Sequence, residues 1–336
     1  MRRGGRFGVV AAAALLVVGL GGSPLGAAEQ TLPQDLTGPD VDWLEFDNWI
    51  LPDDAVYGCT SLDHRIATGE YLSGYGPDEG NSSDQTDGFD TFALVTVNGA
   101  YFLNPDDTVD VTDHTITTDV ANMGGLDVRI RHTALQSQPV LRTLVELTNP
   151  SDAAITQTVT FEQDLGSDGS TWVQTTSSGD DDWTAADRWA VTTEDEEPSF
   201  GDPVITTALY GPGAIATPIS LLDLCGERWD STSIAVKNDT TAGGSSGGAG
   251  TAAVYSEAAQ TSAAYFSVTV PAGQTRYLAF FNSATTDESL DPALAVTTLY
   301  NAGLTGDLVE GLDPAIVPLV VNWSPAVVEL EPTFTG

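Results

Sequence analysis

The chain has 336 residues, of which 41% are apolar and 18% are charged, and 48 acidic residues against 11 basic ones give a net charge of −37. This length and apolar content predict a folded core and exclude a disordered polymer. The negative charge excludes nucleic-acid binding and electrostatic attachment to anionic lipid, and we expect no Lys/Arg-rich patch that would reverse it locally.

The N-terminus has the pattern of a secretory signal peptide. Three arginines among the first six residues precede an apolar run at 9–20, and small residues follow it up to Ala28. We predict that residues 1–28 are removed and that the protein is secreted. The alternative is an uncleaved membrane anchor, but the apolar run is shorter than the roughly 20 residues that a spanning helix needs. We expect no stable membrane insertion elsewhere.

The cysteine content fits an exported protein. Cys59 and Cys225 are the two cysteines of the chain, and in an oxidising compartment such a pair predicts a disulfide. In the loop-entropy model it would stabilise the fold by about 4–5 kcal/mol at most. A metal site is disfavoured, because no histidine lies at ligand spacing from either cysteine.

Most of the remaining chain has the pattern of β-strands. Asn98-Gly99 between β-prone runs predicts a hairpin, since both turn positions need positive φ. Residues 126–132 alternate apolar and polar side chains, which is typical of a half-buried strand. A turn is predicted at 149–152, and a hairpin at 271–275. The other β-prone runs are 89–97, 140–148, 154–162, 188–193, 203–210, 232–237, 263–270 and 276–281.

These runs predict an all-β fold, a large secreted β-sandwich of many short antiparallel strands. One helix is expected near the C-terminus, capped by Asp287 or Ser289 and ending at Gly303, with a second short one from Asp313. After it, the C-terminus is expected to form a final strand.

The preferred domain division is a single domain over 29–336 with a flexible Gly/Ser-rich loop at 240–252. A split into 29–239 and 253–336 stays open as the alternative.

The motifs of several enzyme classes are missing from the sequence. It contains no G-x-S-x-G nucleophile elbow, no phosphate-binding loop and no H-E-x-x-H pair. We interpret His64, His114 and His132 as ordinary surface or edge histidines. We interpret Trp43 and Trp49 as packing residues and not as a ligand platform.

Carboxylates are the one abundant type of catalytic group. A pair placed across a sugar would suffice for glycoside hydrolysis, and Trp172 and Trp183 are candidate sugar-stacking platforms. In so acidic a chain such a set also arises by chance, so the non-catalytic interpretation is preferred. The weak catalytic candidates are Glu146, Glu162, Asp164 and Asp168.

A calcium site is a further candidate use of the acidic residues. The segment 78–90 places hard oxygen ligands in a Gly-containing loop, as calcium requires, although its spacing is not that of an EF-hand. The alternative is a solvated acidic loop, and Asp164, Ser167 and Asp168 form a second candidate cluster. The candidate ligands in the first segment are Asp78, Asn81, Asp84, Asp87 and Asp90.

The preferred function is that of a secreted, non-catalytic extracellular or cell-surface protein with a binding, adhesive or structural role, with calcium as a candidate stabilising ion. The alternative is a carbohydrate-active protein, either a glycoside hydrolase or lyase with paired carboxylates or a sugar-binding module. Its partner would be an extracellular polysaccharide or a cell-surface component. A third hypothesis is a secreted inhibitor, which would expose an apolar patch.

Overall fold

The computed structural model describes residues 28–31, 34–39, 41–46, 72–74, 89, 91–106, 108–112, 114–165, 171–193, 203–222, 261–285 and 289–323. These residues form antiparallel strands and one α-helix, α1 (Asp291–Ala302). The strands are β1 (Ala28–Thr31), β2 (Gln34–Thr37), β3 (Val41–Phe46), β4 (Leu72–Gly74), β5 (Thr91–Val97), β6 (Ala100–Tyr101), β7 (Thr108–Thr112), β8 (Thr115–Thr117), β9 (Ala121–Met123), β10 (Leu126–Ala134), β11 (Val140–Thr148), β12 (Ile155–Asp164), β13 (Trp172–Thr176), β14 (Trp189–Thr193), β15 (Val204–Ala208), β16 (Pro218–Leu222), β17 (Thr261–Val270) and β18 (Thr275–Thr285).

The strands form two main sheets and a small third one. The large sheet has ten strands in the order β1-β7-β8-β10-β11-β18-β15-β14-β13, with β9 paired to β10 beside β8. The second sheet has the order β16-β17-β12-β5-β6, and the third has the order β2-β3-β4. The predicted all-β class is therefore confirmed.

The two main sheets pack face to face as a sandwich. Phe161 of β12 stacks on Phe280 of β18 with ring centroids 4.0 Å apart, and Phe266 of β17 meets Phe280 edge-on at 5.5 Å. The alternation predicted for 126–132 is confirmed, because Leu126 and Val128 point into this core while Asp127 and Arg129 do not.

A third layer covers part of the outer face of the large sheet. Helix α1 and the chain that follows it pack there in a second apolar cluster, in which Phe281 of β18 contacts Tyr300 and Trp323. Both faces of β18 are therefore covered, which explains why its residues 277–285 are all buried. A strand buried on two sides has to be apolar or hydrogen-bonded throughout.

The C-terminal helix is confirmed, and the elements after it differ from the prediction. Helix α1 ends before Gly303, as expected, but its N-cap is Leu290, which makes no side-chain capping bond, and the predicted cap Ser289 only accepts the Asp291 N–H at 3.3 Å. Instead of a second α-helix from Asp313, two short 3-10 helices form at Gly306–Val309 and Val317–Leu319. Pro318 lies inside the second of these helices and limits it, because proline lacks the N–H that a longer helix needs.

The predicted Asn98-Gly99 hairpin is confirmed. Both residues have positive φ, 52° and 77°, and they join β5 to β6. The Oδ1 atom of Asn98 also accepts the Thr158 N–H at 3.1 Å, which holds the turn against β12.

The hairpin predicted at 271–275 is wrong. β17 pairs with β12 in one sheet and β18 pairs with β11 in the other, so the turn crosses the sandwich. The turn at 149–152, between β11 and β12, crosses in the same way. The residues of a tight reversal do not specify whether the next strand continues in the same sheet, so the sequence could not distinguish the two cases.

The two crossing turns are bonded to each other. The Asn149 N–H donates to the Gln274 carbonyl at 2.9 Å, and the Gly273 N–H donates to the Ser151 carbonyl at 3.1 Å. The buried side chain of Asn149 donates to the Ala153 and Val270 carbonyls at 2.8 and 2.9 Å. At one end of the sandwich, the two turns are therefore joined by backbone hydrogen bonds and by the side chain of Asn149.

No helix of the described residues is long and apolar enough to cross a membrane. The strands β17 and β18 are interior strands of the two main sheets. The signal peptide, the domain limits and the Gly/Ser-rich loop at 240–252 stay predictions.

Candidate functional site

The third layer leaves part of the large sheet open on its outer side. Outward side chains of β10, β11 and β18 form a polar surface beside the 3-10 helix Gly306–Val309, and we call this surface the open face. Its members are Asp127, Arg129, Arg131, Glu146, Thr148 and Tyr277, of which all but Tyr277 are partly exposed.

Three of these residues lie in one row across three strands. Arg129 of β10 is directly opposite Glu146 of β11, and Glu146 is directly opposite Tyr277 of β18. Side chains in such cross-strand positions contact each other. Arg131, two residues along β10, donates to Glu146 Oε2 at 3.2 Å, with 29% of the Arg131 side chain and 20% of the Glu146 side chain exposed. An arginine, a carboxylate and a phenol thus share one partly exposed surface.

The charges of the open face act on the Tyr277 hydroxyl. Burial and the negative charge of Glu146 raise the pKa of Tyr277, while the guanidinium groups of Arg131 and Arg129 oppose this shift. A side-chain hydrogen bond to Glu146 raises this pKa further, so the phenol is protonated at neutral pH and its hydroxyl donates to Glu146. The Glu146 carboxylate therefore accepts from both Arg131 and Tyr277.

Arg142 lies between the open face and the third layer. Its Nη1 donates to the backbone carbonyls of Leu308 and Glu310 at 3.1 and 2.8 Å, so it ties the 3-10 helix to the sheet. Burial, and then the nearby charge of Arg131, lower the pKa of Arg142 to about 10, while Glu310 opposes this. Arg142 remains charged at neutral pH and has a structural role.

Glu310 connects the third layer to the loop that precedes β11. Its carboxylate accepts the N–H of Gln136 at 2.9 Å and the hydroxyl of Ser137 at 2.8 Å. Partial burial alone would raise the pKa of Glu310, but these hydrogen bonds and the charge of Arg142 hold it below the usual value. The loop before β11 is thereby held against the third layer.

The predicted carboxylates do not come together. Glu146 lies on the outer side of the large sheet, whereas Glu162 of β12 lies on the outer side of the second sheet, since its neighbours Phe161 and Gln163 are buried on the inner side. Packed sheets are about 10 Å apart, and a glycosidase pair needs about 5–9.5 Å. Glu146 and Glu162 therefore cannot act on one glycosidic bond.

Glu162 has its own surroundings on the second sheet. Its Oε2 accepts the Tyr101 hydroxyl at 2.8 Å, and only 5% of the residue is exposed. Asp164 is the last residue of β12 and lies beyond an irregularity in the pairing of that strand with β5. Asp168 lies outside the described residues.

The proposed tryptophan platforms are wrong. Trp183 is fully buried in the main core and Trp172 is only 9% exposed, so neither offers a ring face to a sugar. Their acidic neighbours in the sequence suggested exposure, but buried aromatic area is a stronger stabilising term than the polarity of adjacent residues. The packing role expected for Trp43 is confirmed, with its ring 6.3 Å from that of Phe89. Trp49 lies outside the described residues.

The interpretation of His132 as a surface residue is also wrong. It is fully buried, its Nδ1 lies 3.1 Å from Thr143 Oγ1, and burial lowers its pKa to about 3. His132 continues the inward positions of β10, which the alternation of that strand could have indicated. His114 is partly exposed, and His64 lies outside the described residues.

The metal and disulfide predictions fall on other parts of the chain. Cys59 and Cys225 lie outside the described residues, as do all five calcium candidates between 78 and 90. Within the ranges that the structure describes, no three His, Cys, Asp or Glu side chains converge as a metal site would require. The calcium site and the disulfide stay predictions.

The sequence analysis missed Arg129, Arg131 and Tyr277 as a group. Both arginines fall on the polar side of the strand predicted at 126–132, whereas the scarcity of basic residues led us to expect no Lys/Arg-rich patch. The one available signal was their scarcity: two of only eleven basic residues occur two positions apart on a single strand face. Which residue lies opposite them depends on the register, which only the fold provides.

Comparisons with known proteins give no family. No family model matches the chain, and no curated protein matches it. A solved polysaccharide lyase is similar with a TM-score of 0.36 and 8% identity, over 65% of this chain and 31% of that one. A protein named as a kojibiose phosphorylase from the human microbiome has a TM-score of 0.35 and 11% identity, over 82% of this chain and 34% of that one. The chain spans about a third of the length of these proteins.

Proposed function

We propose that this protein is a secreted carbohydrate-binding protein whose ligand lies on the open face. The observation that carries the proposal is the row of Arg129, Glu146 and Tyr277 with Arg131 beside it. Sugar hydroxyls both donate and accept hydrogen bonds. A surface that offers guanidinium donors beside a carboxylate acceptor can therefore satisfy several hydroxyls at once, with the buried Tyr277 orienting that carboxylate.

A protein partner fits the open face less well. The centres of protein interfaces are depleted in charged residues and enriched in apolar and aromatic ones. Among the described residues, the exposed large apolar side chains all lie elsewhere, and none is on the open face. They are Leu103, Val120, Ile215, Ile219 and Leu294.

Binding is a better proposal than hydrolysis for this surface. The two carboxylates that could be compared lie on opposite sides of the sandwich, and Glu146 is engaged by Arg131. The preferred sequence-based function, a non-catalytic binding protein, and its alternative, a carbohydrate-active one, are combined in this proposal. Calcium stays a proposed stabilising ion of the segment 78–90, with chelator-dependent melting as its test.

The test is co-sedimentation of the purified protein with a panel of insoluble polysaccharides and bacterial cell walls. We expect depletion by at least one polymer, and at least tenfold weaker binding in the double variant Glu146→Ala/Tyr277→Ala. The matched control is Thr156→Ala/Thr269→Ala, which removes an exposed cross-strand pair on the second sheet whose hydroxyl oxygens are 2.8 Å apart.

Two results would contradict the proposal. One is that no polymer depletes the protein, and the other is that both double variants lose binding equally. Measuring soluble sugar in the same supernatants adds a check on catalysis, since release of sugar by the wild type would replace the binding function with an enzymatic one.

A further inference from the structure

The few arginines of this chain are concentrated at one place. The described residues contain five arginines, and three of them, Arg129, Arg131 and Arg142, lie on the outer side of the adjacent strands β10 and β11. The whole chain carries only 11 basic residues against 48 acidic ones. The described part of the chain thus places most of its arginines on one side of one sheet, with the acidic side chains of Asp127, Glu146 and Glu310 among them.

The three guanidinium groups differ in how many hydrogen bonds they make within the protein. Arg142 is committed to two backbone carbonyls, and Arg131 uses one nitrogen on Glu146. For Arg129, the part of the chain that the structure describes offers no hydrogen-bond partner, and its Nε is buried. The buried Nε is out of reach of a ligand, but the side chain as a whole is partly exposed. Its two Nη groups, which make no hydrogen bond within the described residues, are therefore the donors that Arg129 has available.

The unused donors are arranged for more than one anion. Arg129 and Arg131 are two positions apart on one strand, so their Cα atoms are about 7 Å apart and their side chains leave the sheet on the same side. A guanidinium presents its N–H groups as a fork that matches the two oxygens of a carboxylate. Two such forks side by side fit carboxylates that repeat along a polymer.

Resting on the proposed function, we infer that the ligand of the open face is a carboxylated polysaccharide, with Arg129 and Arg131 binding its carboxylates. The acidic groups beside these arginines are Asp127, whose Oδ1 accepts from Asn122 at 3.1 Å, Glu146, which is paired with Arg131, and Glu310, whose charge acts on Arg142. Arg129 is thus the arginine of this group whose charge is least compensated within the described residues. At physiological salt the screening length is about 8 Å, so acidic residues on distant surfaces repel the ligand only weakly.

The experiment is isothermal titration calorimetry at 150 mM salt with two chemically matched polymers. Polygalacturonate carries free carboxylates, and its highly methyl-esterified form has the same backbone with most of them neutralised. We expect at least tenfold tighter binding of the acid form. We also expect at least a tenfold loss in Arg129→Gln/Arg131→Gln and little change in Arg188→Gln/Arg276→Gln, which removes the same charge elsewhere.

Each alternative result has a distinct meaning. Equal binding of both polymers would overturn this inference and leave the proposed function intact. Binding of neither polymer, while a neutral polysaccharide binds to the open face, would have the same effect. If no polysaccharide binds, the proposed function itself fails. An equal loss in both arginine double variants would overturn the inference, because it would indicate general charge attraction.

A second variant distinguishes loss of ligand recognition from misfolding of the protein. Arg129→Lys/Arg131→Lys keeps both charges and removes the planar forks. We expect it to bind the acid polymer with intermediate affinity, between the wild type and the Gln double variant. Wild-type affinity in the Lys variant would overturn recognition by the forks.

Discussion

The side-chain amide of Asn322 bonds to the backbone of Ala279 as a neighbouring strand would. The Ala279 N–H donates to Asn322 Oδ1 at 2.9 Å, and Asn322 Nδ2 donates to the Ala279 carbonyl at 2.7 Å and to the Leu209 carbonyl at 2.9 Å. Strand β15 ends at Ala208, and beyond it residues 320–322 run along the same side of β18, where Val320 forms a parallel bridge with Tyr277. Asn322 is fully buried and continues this pairing at Ala279 with its side chain.

Replacing Asn322 should therefore be costly. In Asn322→Ala three buried backbone groups lose a partner, and we expect the free energy of unfolding to fall by about 2–4 kcal/mol. Chemical denaturation of the wild type and the variant measures this. Asn122→Ala is the control, since that exposed side chain makes one surface hydrogen bond, and it should change stability by less than about 0.5 kcal/mol. Similar effects of the two substitutions would contradict the role of Asn322.

Asn149 should be equally sensitive, for a different reason. Its side chain bonds to both turns that cross between the sheets. We expect Asn149→Ala to lower the free energy of unfolding by about 2–4 kcal/mol, because the buried bond to the Val270 carbonyl and the partly buried bond to the Ala153 carbonyl lose their donor. Asp152→Ala, at an exposed position of the same turn, should be nearly neutral in the same denaturation assay. An equally mild effect at Asn149 would show that backbone bonds alone hold the turns.

The buried histidine predicts how stability depends on pH. An unfolded histidine binds a proton near pH 6.5, whereas burial lowers the pKa of His132 to about 3 in the folded protein. Below about pH 6.5 the unfolded chain thus binds a proton that the folded protein does not. The stabilisation is complete above that pH and decreases by up to about 1.4 kcal/mol per pH unit as the pH falls.

The measurement is the free energy of unfolding between pH 7 and pH 5, where most carboxylates are still ionised. His132→Gln removes this titration, so its curve should be flatter than that of the wild type by up to the slope given above. Parallel curves for the two proteins would mean that His132 takes up a proton in the folded state.

Ala93 lies in a backbone conformation that glycine tolerates better. Its φ is 57°, where β5 has an irregular pairing with β12, and its methyl group is buried. In Ala93→Gly the relief of about 1 kcal/mol of strain offsets the lost methyl contacts, so we expect little net change. Ala264→Gly, at a regular buried position of β17, should cost about 1–2 kcal/mol. Equal losses at the two positions would contradict the strain at Ala93.

Arg131→Gln and Arg142→Gln should differ in how far they lower the free energy of unfolding. The Arg131–Glu146 pair is partly exposed, so Arg131→Gln should change the free energy of unfolding by less than about 1 kcal/mol. Arg142 is buried and bonded to two carbonyls, so Arg142→Gln should cost about 2–4 kcal/mol. Thermal melting of both variants checks this. A large loss in Arg131→Gln would mean that binding tests on that residue report folding.

Local patterns predicted the strands well. Residues 140–148 coincide with β11, and the Asn98-Gly99 turn has the expected φ values, because period-two alternation and positive φ are properties of a few neighbouring residues. The pairing of strands depends on distant residues. The sequence therefore did not show that 271–275 crosses the sandwich.

The polar interior shows the same limit. Gln163, Thr207 and Asn282 form a hydrogen-bonded chain between the sheets, with an N···O distance of 2.5 Å from Gln163 to Thr207 and an O···O distance of 3.2 Å from Thr207 to Asn282. Each of these residues has a polar side chain of a kind usually found at the surface. They can be buried here because the fold brings them together and they hydrogen-bond to one another. For the candidate site, the sequence proposed Glu146 but could not identify its neighbours on the flanking strands.

The position of β17 and β18 has a consequence for how the protein folds. Both strands lie in the interior of their sheets, yet they follow the other described strands in sequence. Neither main sheet can be completed until residues 261–285 have been made, so the strands that precede them keep unpaired edges until then. Such long-range pairing predicts slow folding. It also makes β1 to β16 depend on a later stretch of the chain for their native tertiary structure.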